Sequence, residues 1–351
     1  MPTLKVNLPE KNYPILIQKG ILNHIGEKIK KIYQNKKIAI ITDTHVEKLY
    51  GARIKKQLDN DFEIKMIVLE PGEKSKSMDV LQHVYNKLLE FEITRGDLII
   101  AFGGGVVGDL TGFAAATLLR GIPFIQIPTS LLAQIDSSVG GKVAVNLPKG
   151  KNLVGNFYHP KAVFIDPDVL KTLDKRVFSD GMAEVIKYGC IRNKKLFDDL
   201  LKYNDEELFE HIEQIIYTCC HIKKSIVERD ELDTGERMLL NFGHTLGHAV
   251  EKHYKYEKYT HGEAVAIGMY HITKKGEALG ITDKKTSDCI KEILCKYHLP
   301  YEMPAMDQEE IIKTIGLDKK NKGQYMNIIL IKKVGESLIK KIYKKDIVAF
   351  I

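Results

Sequence analysis

The stretch that decides the fold spans residues 97–119 and reads DLIIAFGGGVVGDLTGFAAATLL. Its first residue, Asp97, is followed by the apolar run LIIAF at residues 98–102, which is typical of a strand buried on both faces of a parallel sheet. Gly103, Gly105 and Gly108 then match a GxGxxG pattern, and a second apolar run predicts a helix. Such glycines let the backbone approach a pyrophosphate, whose charge the amides of a helix N-terminus can bind. The stretch therefore predicts a strand–turn–helix unit that either binds a dinucleotide or only forms a tight turn.

The sequence on either side of this unit alternates between strand and helix patterns. Strands are predicted at residues 3–8, 14–18, 37–42, 64–69, 97–102 and 124–127, and helices at 21–33, 45–58 and 78–91. The first two strands read as a hairpin. Strands that alternate with helices at this spacing indicate a parallel sheet covered on both faces. We therefore expect residues 1–175 to form an α/β, Rossmann-like domain.

The pattern changes beyond residue 175. Apolar residues with a helical period recur at 177–191, 207–228, 238–254, 261–279, 289–298 and 308–315, and strands are predicted only at 327–331 and 337–342. Residues 176–351 are therefore predicted to form a second, mainly α-helical domain.

Three further polar stretches suggest a ligand site in the first domain. They are PGEKSK at 71–76, QIDSSVGGK at 134–142 and KGKN at 149–152. Ligands of open α/β sheets bind outside the carboxyl ends of the strands, where the first stretch and Asp43 are expected. Lys142 and Lys151 suit a phosphate or a carboxylate. The alternative is that these are solvated turns.

The second domain contains a candidate metal site. The sequence NFGHTLGH at 241–248 places His244 and His248 one helical turn apart, and His261 begins the next helical pattern. Glu184, followed by Lys187 in an apolar helix, is a candidate third ligand for a catalytic zinc. Spacing alone leaves open whether His248 or His261 is the second histidine ligand, and also whether these are merely scattered surface histidines.

Composition narrows the partners and the location. The formal net charge is +7, but the lysines are spread along the chain without an arginine-rich tract, so we expect no nucleic acid partner. No apolar run approaches the ~18 residues of a membrane span, and the N-terminus lacks the apolar segment of a secretory signal. We therefore expect no membrane partner and a cytoplasmic location.

Taken together, these motifs resemble those of the 3-dehydroquinate synthase family. The match includes PGEKSKS, GGGVVGDLTGF, IPTSLLAQIDSSVGGK, GKNLVGNFYHP, DGMAEVIKYG, NFGHTLGH and HGEAVAIGM, in order along nearly the whole chain. Small departures are Val143-Ala144, Ser130 and Asp233, where the family usually has Thr-Gly, Thr and Glu.

The resemblance implies a role for each matching residue. It places a Zn²⁺ or Co²⁺ ion on Glu184, His244 and His261. It places NAD on Asp43, Pro71, Gly72, Glu73, Lys74, Ser75, Lys76, Gly104, Gly105, Val106, Val107, Gly108, Asp109, Thr129, Ser130, Lys142, Lys151, Val169, Leu170, Lys171 and Thr172. Catalytic roles fall on Asp136, Lys142, Lys187, Lys223, Arg237, Asn241 and His248, and substrate contacts on Arg120, Lys151, Asn152 and Lys320, with Lys319 as the alternative to Lys320.

The resemblance also implies a reaction. The substrate would be a sugar acid phosphate, 3-deoxy-arabino-heptulosonate 7-phosphate, and the products 3-dehydroquinate and phosphate, without net consumption of NAD. A homodimer is implied, with Arg120 supplied by the partner subunit. The alternatives are another sugar phosphate cyclase of the inosose or valiolone synthase type, a metal-dependent polyol dehydrogenase, and a binding protein without activity.

Overall fold

The structure is a computed structural model that describes residues 3–9, 11–306, 311, 312, 314, 315 and 324–351. By its contacts the chain divides into two compact units. The first unit comprises Met1–Leu173 and Ile212–Leu232, and the second comprises Asp174–His211 and Asp233–Ile351. No helix in the described part of the chain is long and apolar enough to cross a membrane.

The first unit is built on a seven-stranded sheet. The described strands of this unit are β1 (Thr3–Val6), β2 (Tyr13–Ile17), β3 (Lys37–Asp43), β4 (Glu63–Leu69), β5 (Leu98–Gly103), β6 (Phe124–Pro128), β7 (Lys142–Leu147), β8 (Gly150–Phe157) and β9 (Val163–Ile165), of which β7 and β8 lie outside this sheet. The sheet has the order β1-β2-β9-β6-β5-β3-β4, and only the β1–β2 pair within it is antiparallel. The helices are α1 (Ile25–Lys30), α2 (Thr44–Val46), α3 (Ala52–Leu58), α4 (Met78–Glu90) and α5 (Gly105–Thr117). The predicted parallel α/β sheet is confirmed.

The strand order reverses next to β3. The chain passes from β3 to β4 on one side, and then returns to place β5 on the other side of β3. Both faces are packed, because separate apolar clusters lie around Ile40 and around Ile41. A reversal of this kind opens a crevice at the carboxyl ends of the two central strands, where ligands of such sheets bind. Asp43 and the glycine turn after Gly103 lie at those two strand ends.

The β7–β8 hairpin was not predicted from the sequence. Its strands pair in an antiparallel two-stranded sheet, and Leu147 lies opposite Gly150 across the turn. Val143 and Val145 are buried while Lys142 and Ala144 are more exposed, which is the alternation of a half-buried strand. The hairpin fixes the backbone of the segment that contains Lys142, Lys151 and Asn152.

The rest of the chain is mainly helical, as predicted. The helices are α6 (Lys175–Arg192), α7 (Lys194–Lys202), α8 (Asp205–Glu210), α9 (Ile212–Arg229), α10 (His244–His253), α11 (His261–Ala278) and α12 (Thr286–Lys296). Strands β10 (Tyr325–Lys333) and β11 (Glu336–Tyr343) form the expected antiparallel hairpin. Half of the helix predicted at residues 308–315 lies outside the described residues.

The division of the chain into these two units is not the single boundary near residue 175 that the sequence predicted. Helix α9 belongs to the first unit, so the chain leaves that unit, returns for one helix and leaves again. The physical reason is the contacts of α9. The Cys220 thiol donates to the carbonyl of Gln134 at 3.2 Å, and the Lys223 amine donates to the carbonyl of Asp136 at 2.6 Å. A contiguous division of the sequence cannot represent such a return.

Helices α10 and α11 pack unusually closely because glycines line their contact. A Cβ atom at Gly268 would overlap the carbonyl oxygen of Gly243, and one at Gly247 would lie 3.0 Å from the carbonyl oxygen of Ala264. Gly243 also has a φ of +80°, which glycine adopts at little cost. The two helices begin with His244 and His261, so this close approach brings both imidazoles together.

We expect Gly268→Ala to destabilise the protein by about 1–3 kcal/mol, the usual cost of overpacking a core. The added methyl group has to displace backbone, because the nearest atoms it meets are backbone atoms of Gly243 and Gly247. Urea unfolding followed by circular dichroism measures the change. Lys274→Ala is the matched control, since Lys274 is exposed on the same helix and its loss should change stability by less than about 0.5 kcal/mol. Equal stability of the two variants would contradict the close packing.

Candidate active site

The glycine turn has the geometry predicted for it. Gly103 ends β5, and Gly104 is the N-cap of α5. A Cβ atom at Gly104 would lie 3.4 Å from the Ser130 hydroxyl, and one at Gly105 would lie 3.1 Å from the Ser137 hydroxyl. Small hydroxyl side chains therefore pack directly against the turn. The first amides of α5 point towards the carboxyl edge of the sheet, the position in which helix termini bind phosphates.

The loop after β4 lies against the same turn. Lys76 is 5% exposed and forms an ion pair with Asp109 in the first turn of α5. Burial raises the pKa of the Asp109 carboxyl, while Lys76 acts in the opposite direction. Glu73 accepts a hydrogen bond from the Asn146 amide at 2.7 Å, and the Asn146 backbone donates to the Lys76 carbonyl at 2.8 Å. The loop is thus held between α5 and the β7–β8 hairpin.

Asp136 and Lys223 form the second group of predicted residues that the structure brings together. Asp136 lies in a π-helical turn, Ala133–Ser137, a conformation that is frequent at functional sites. Lys223 of α9 is 5% exposed and contacts both the carboxylate and the carbonyl of Asp136. The return of α9 to the first unit therefore supplies a buried cation to this region.

The other predicted residues of the first unit occupy separate positions. The Asp43 carboxylate caps the helix that follows β3 and accepts from the amides of His45 and Val46 at 2.9 and 3.0 Å. The backbone N–H of Asn152 donates to the side-chain oxygen of Asn146 at 2.8 Å. Thr129 is buried, whereas Lys142 is exposed. A 3-10 turn (Pro167–Thr172) contains Val169, Leu170, Lys171 and Thr172. Arg120 is exposed and has a φ of +67°.

The second unit contains a cluster centred on Glu184. This carboxylate is 1% exposed, and its Oε1 atom lies 3.4 Å from Nε2 of His244 and 3.5 Å from Nε2 of His261. Its other oxygen forms an ion pair with Lys187, one turn further along α6. Nitrogen or oxygen ligands at about 2.0–2.2 Å in a tetrahedron lie roughly 3.3–3.6 Å from each other. The observed spacing therefore fits a zinc or cobalt ion bound by these three residues.

Each histidine is also held through its second nitrogen. His244 Nδ1 lies 3.1 Å from the carbonyl oxygen of Phe242, and His261 Nδ1 lies 3.4 Å from the carboxylate of Glu251. Such contacts fix the tautomer of a metal-binding histidine and leave Nε2 for the ion. Burial lowers the pKa of His244 to about 3, so its ring is neutral. For His261 burial is outweighed by hydrogen bonds to Glu184 and Glu251, which raise its pKa well above the ordinary value.

Three residues one turn apart on α6 hold the start of α11. Arg176 donates two hydrogen bonds to the Glu263 carboxylate at 2.7 and 2.9 Å. Asp180 accepts from the Gly262 amide at 2.5 Å, and Glu184 faces His261. Thr260 and Glu263 complete a capping box at the same helix end. The backbone that carries His261 is therefore fixed independently of any ion.

The remaining predicted residues of the second unit differ in exposure. Arg237 is 2% exposed, whereas the side chain of His248 is 54% exposed and lies 4.0 Å from Glu251. Asn241 ends a 3-10 turn (Glu236–Asn241) and is half-buried. Lys320, and with it Lys319, lies outside the described residues.

Two residues of this region were missed by sequence reasoning. Asp180 looked like a polar residue near the start of a helix, and only the fold shows that its acceptor meets the Gly262 amide. Glu251 could have been found, because it lies seven residues after His244 and three after His248, on the same helical face. An acid at that spacing in an apolar helix is a usable signal.

The architecture defines a class of proteins that share this fold. A 2-deoxy-scyllo-inosose synthase complexed with carbaglucose-6-phosphate, NAD+ and Co2+ superposes with a TM-score of 0.88, at 25% identity and 99% coverage of both chains. A 2-epi-5-epi-valiolone synthase from Streptomyces hygroscopicus with NAD+ and Zn2+ bound also has a TM-score of 0.88, at 25% identity over 97% of this chain and 96% of that one. The class is therefore that of the sugar phosphate cyclases.

Sequence comparison identifies the family within this class. Models described as 3-dehydroquinate synthase N-terminal and C-terminal match residues 66–180 and 181–321. The 3-dehydroquinate synthase of Clostridium beijerinckii is 57% identical over 97% of this chain and 98% of that protein, and that of Enterococcus faecalis is 45% identical over 99% and 98%. The chain belongs to the 3-dehydroquinate synthase family.

We expect Asp180→Ala to lower the free energy of unfolding by about 1–3 kcal/mol, because it leaves the Gly262 amide without its acceptor. Chemical denaturation measures the loss. Asp180→Asn is the control, because its amide oxygen can still accept the same hydrogen bond. If the asparagine variant were as unstable as the alanine variant, the hydrogen bond would not be the source of the effect.

Proposed function

We propose that the protein is a 3-dehydroquinate synthase, which converts 3-deoxy-arabino-heptulosonate 7-phosphate to 3-dehydroquinate and phosphate. Such an enzyme is a carbon–oxygen lyase of the shikimate pathway, which leads to the aromatic amino acids. The observation that carries the proposal is the Glu184 carboxylate, which faces His244, His261 and Lys187 in a chain whose family membership extends over nearly its full length.

The proposal is favoured over the other reactions of this fold. Identity to 3-dehydroquinate synthases reaches 57%, against 25% for the inosose and valiolone synthases. A glycerol dehydrogenase of Sinorhizobium meliloti shares only the fold, with a TM-score of 0.62 at 13% identity. Lys187, Lys223 and Arg237 are all nearly buried, and cations in such positions suit a substrate with both a carboxylate and a phosphate.

Two cofactors are proposed, each on one unit. NAD would be held by Asp43, the loop from Pro71 to Lys76, the turn from Gly104 to Asp109, and the residues near Thr129 and Val169. Zn²⁺ or Co²⁺ would be held by Glu184, His244 and His261. When bound, the two supply the oxidation of one ring hydroxyl and its later reduction, so that NAD is not consumed.

The residues of the chain would bind and orient the substrate. The side chains proposed to contact its anionic groups and hydroxyls are those of Lys142, Lys151, Asn152, Lys320, Asn241 and His248. Lys223 is already oriented by Asp136, which reduces the entropy lost when it binds an anion. Lys187 forms an ion pair with the Glu184 carboxylate and would supply a positive charge to the anionic substrate.

The chemical steps then follow from the substrate itself. A ketone on the ring acidifies the neighbouring C–H bond, and phosphate leaves by β-elimination while it accepts that proton. After reduction of the ketone the ring opens, and an intramolecular aldol addition closes the carbocycle. Each substrate molecule converted releases one phosphate. The protein orients the substrate and balances the charge that develops during the reaction.

A homodimer in the cytoplasm completes the proposal. Arg120 would reach the active site of the partner subunit. Its exposed position and its left-handed backbone, shared with Leu119, are consistent with a side chain that projects from the unit.

Turnover of the proposed substrate is the primary test. With the heptulosonate phosphate, catalytic NAD and Zn²⁺, we expect stoichiometric phosphate release without accumulation of NADH, and 3-dehydroquinate identified by mass spectrometry and NMR. Steady formation of NADH would indicate a polyol dehydrogenase instead. A different carbocycle would indicate another sugar phosphate cyclase.

The ligand assignment predicts the behaviour of His261→Ala. This variant should lose bound metal and turnover while it retains NAD binding, because His261 contacts Glu184 in the second unit and the glycine turn lies in the first. Metal analysis and NAD titration by fluorescence measure the two properties. His221→Ala removes an exposed histidine of α9 and should retain both. Full activity of metal-free His261→Ala protein would exclude the assignment.

Complementation tests the role of Arg120. Arg120→Ala and His261→Ala should each be inactive alone. When the two chains are co-expressed, random pairing in a twofold dimer should restore about a quarter of the wild-type activity, because each mixed dimer has one intact site. No restoration from two inactive variants would show that Arg120 acts within its own subunit, and full activity of Arg120→Ala alone would show that Arg120 is not required.

A further inference from the structure

The carboxylate of Glu251 is buried between two histidines. Glu251 is 3% exposed in α10, and its Oε2 atom lies 3.4 Å from His261 Nδ1 and 4.0 Å from His248 Nε2. The three residues bring donor atoms within 4.8 Å of one another, as do Glu184, His244 and His261. His261 belongs to both sets, so the two sets cannot both bind an ion through the same ring nitrogen.

The orientation of His261 separates the two possibilities. Its Nε2 faces Glu184 at 3.5 Å, and its Nδ1 faces Glu251. Glu184 and His244 are 1% and 13% exposed, whereas His248 is 54% exposed. A site enclosed by the protein excludes competing water more completely, so the ion is expected on the Nε2 side. The Nδ1 hydrogen is then available to Glu251.

We propose that Glu251 is a positioning residue that fixes the His261 ring and raises the affinity of the neighbouring site for its ion. The carboxylate accepts the Nδ1 hydrogen, selects the tautomer with a lone pair on Nε2 and makes that nitrogen a stronger donor. This inference rests on the proposed function only for the identity of the three ligands.

The fold makes this contact possible through the packing of α10 against α11. Gly247, between His244 and Glu251, allows α11 to approach so closely that a Cβ atom there would lie 3.1 Å from the Cα atom of Val265. A carboxylate on the same face of α10 as His244 can therefore reach a ring at the start of α11. The tertiary contact, not the sequence spacing, selects His261 as its partner.

The test is a comparison of metal affinities in the absence of substrate. Apoprotein competes with a chromophoric chelator for Zn²⁺ at neutral pH, and Co²⁺ absorption reports the ligand geometry. Glu251→Ala should raise the Kd for Zn²⁺ by about 10- to 100-fold, the usual effect of losing such a partner. Glu251→Gln should recover most of the affinity, because its amide oxygen can still accept from Nδ1. The Co²⁺ spectrum should keep its form in both variants.

His248→Ala is the control that separates a positioning role from ligation. It removes the third member of the alternative set and should leave the Kd for Zn²⁺ unchanged. Unchanged affinity in Glu251→Ala would overturn the proposal. So would an equal loss in Glu251→Ala and Glu251→Gln with an altered Co²⁺ spectrum, because Glu251 would then be a ligand. NAD binding and circular dichroism verify that each variant is folded.

The outcome is distinguishable from a failure of the proposed function. Wild-type protein that binds Zn²⁺ tightly but does not convert the heptulosonate phosphate would refute the proposed reaction and leave the role of Glu251 open to the same affinity test. Wild-type protein without measurable Zn²⁺ affinity would refute both.

Discussion

The negative charge of a buried carboxylate has to be balanced by nearby positive charge or hydrogen-bond donors. In the second unit, three helices meet around such a carboxylate, that of Glu184. An isolated charge in this environment would be strongly unfavourable, so a carboxylate that is 1% exposed needs cations or hydrogen-bond donors at contact distance. Lys187 supplies a cation on the same helix, and the Nε2 atoms of His244 and His261 face the carboxylate from two other helices, in positions where a bound cation would share its charge. The packing of α6, α10 and α11 places these three groups around one side chain.

Much of the fold could be predicted, because its strands are continuous apolar runs and its helices have clear periods. The β7–β8 hairpin escaped because its exposed positions carry small and polar residues such as Ala144 and Asn146, which read as a loop. The return of α9 to the first unit escaped for a different reason. The apolar face of an isolated helix does not indicate which unit it packs against. Only the tertiary contacts of Cys220 and Lys223 assign α9 to the first unit.

Less of the site could be predicted from spacing. Spacing left open whether His248 or His261 is the second histidine ligand. In the structure the His248 side chain is 54% exposed, its Nε2 atom lies 4.0 Å from Glu251, and its ring centroid lies 5.4 Å from that of His244. His261 comes from another helix, and its approach depends on Gly243, Gly247 and Gly268 rather than on local sequence. The resemblance to the family predicted His261 as a ligand, because the family pattern reflects tertiary contacts that local spacing does not contain.

The same fold supports net alcohol oxidation in other proteins, so the reaction must be decided by what surrounds the shared elements. An alcohol dehydrogenase needs to bind a polyol and release a ketone, for which neutral donors suffice. Here Lys187 and Lys223 are almost inaccessible, and each is held by a carboxylate. Retaining two buried cations costs folding free energy, and that cost is understandable when a bound anion shares their charge. A substrate that carries a carboxylate and loses a phosphate provides such anions both before the reaction and after it, because the product keeps the carboxylate and the phosphate is released as an anion.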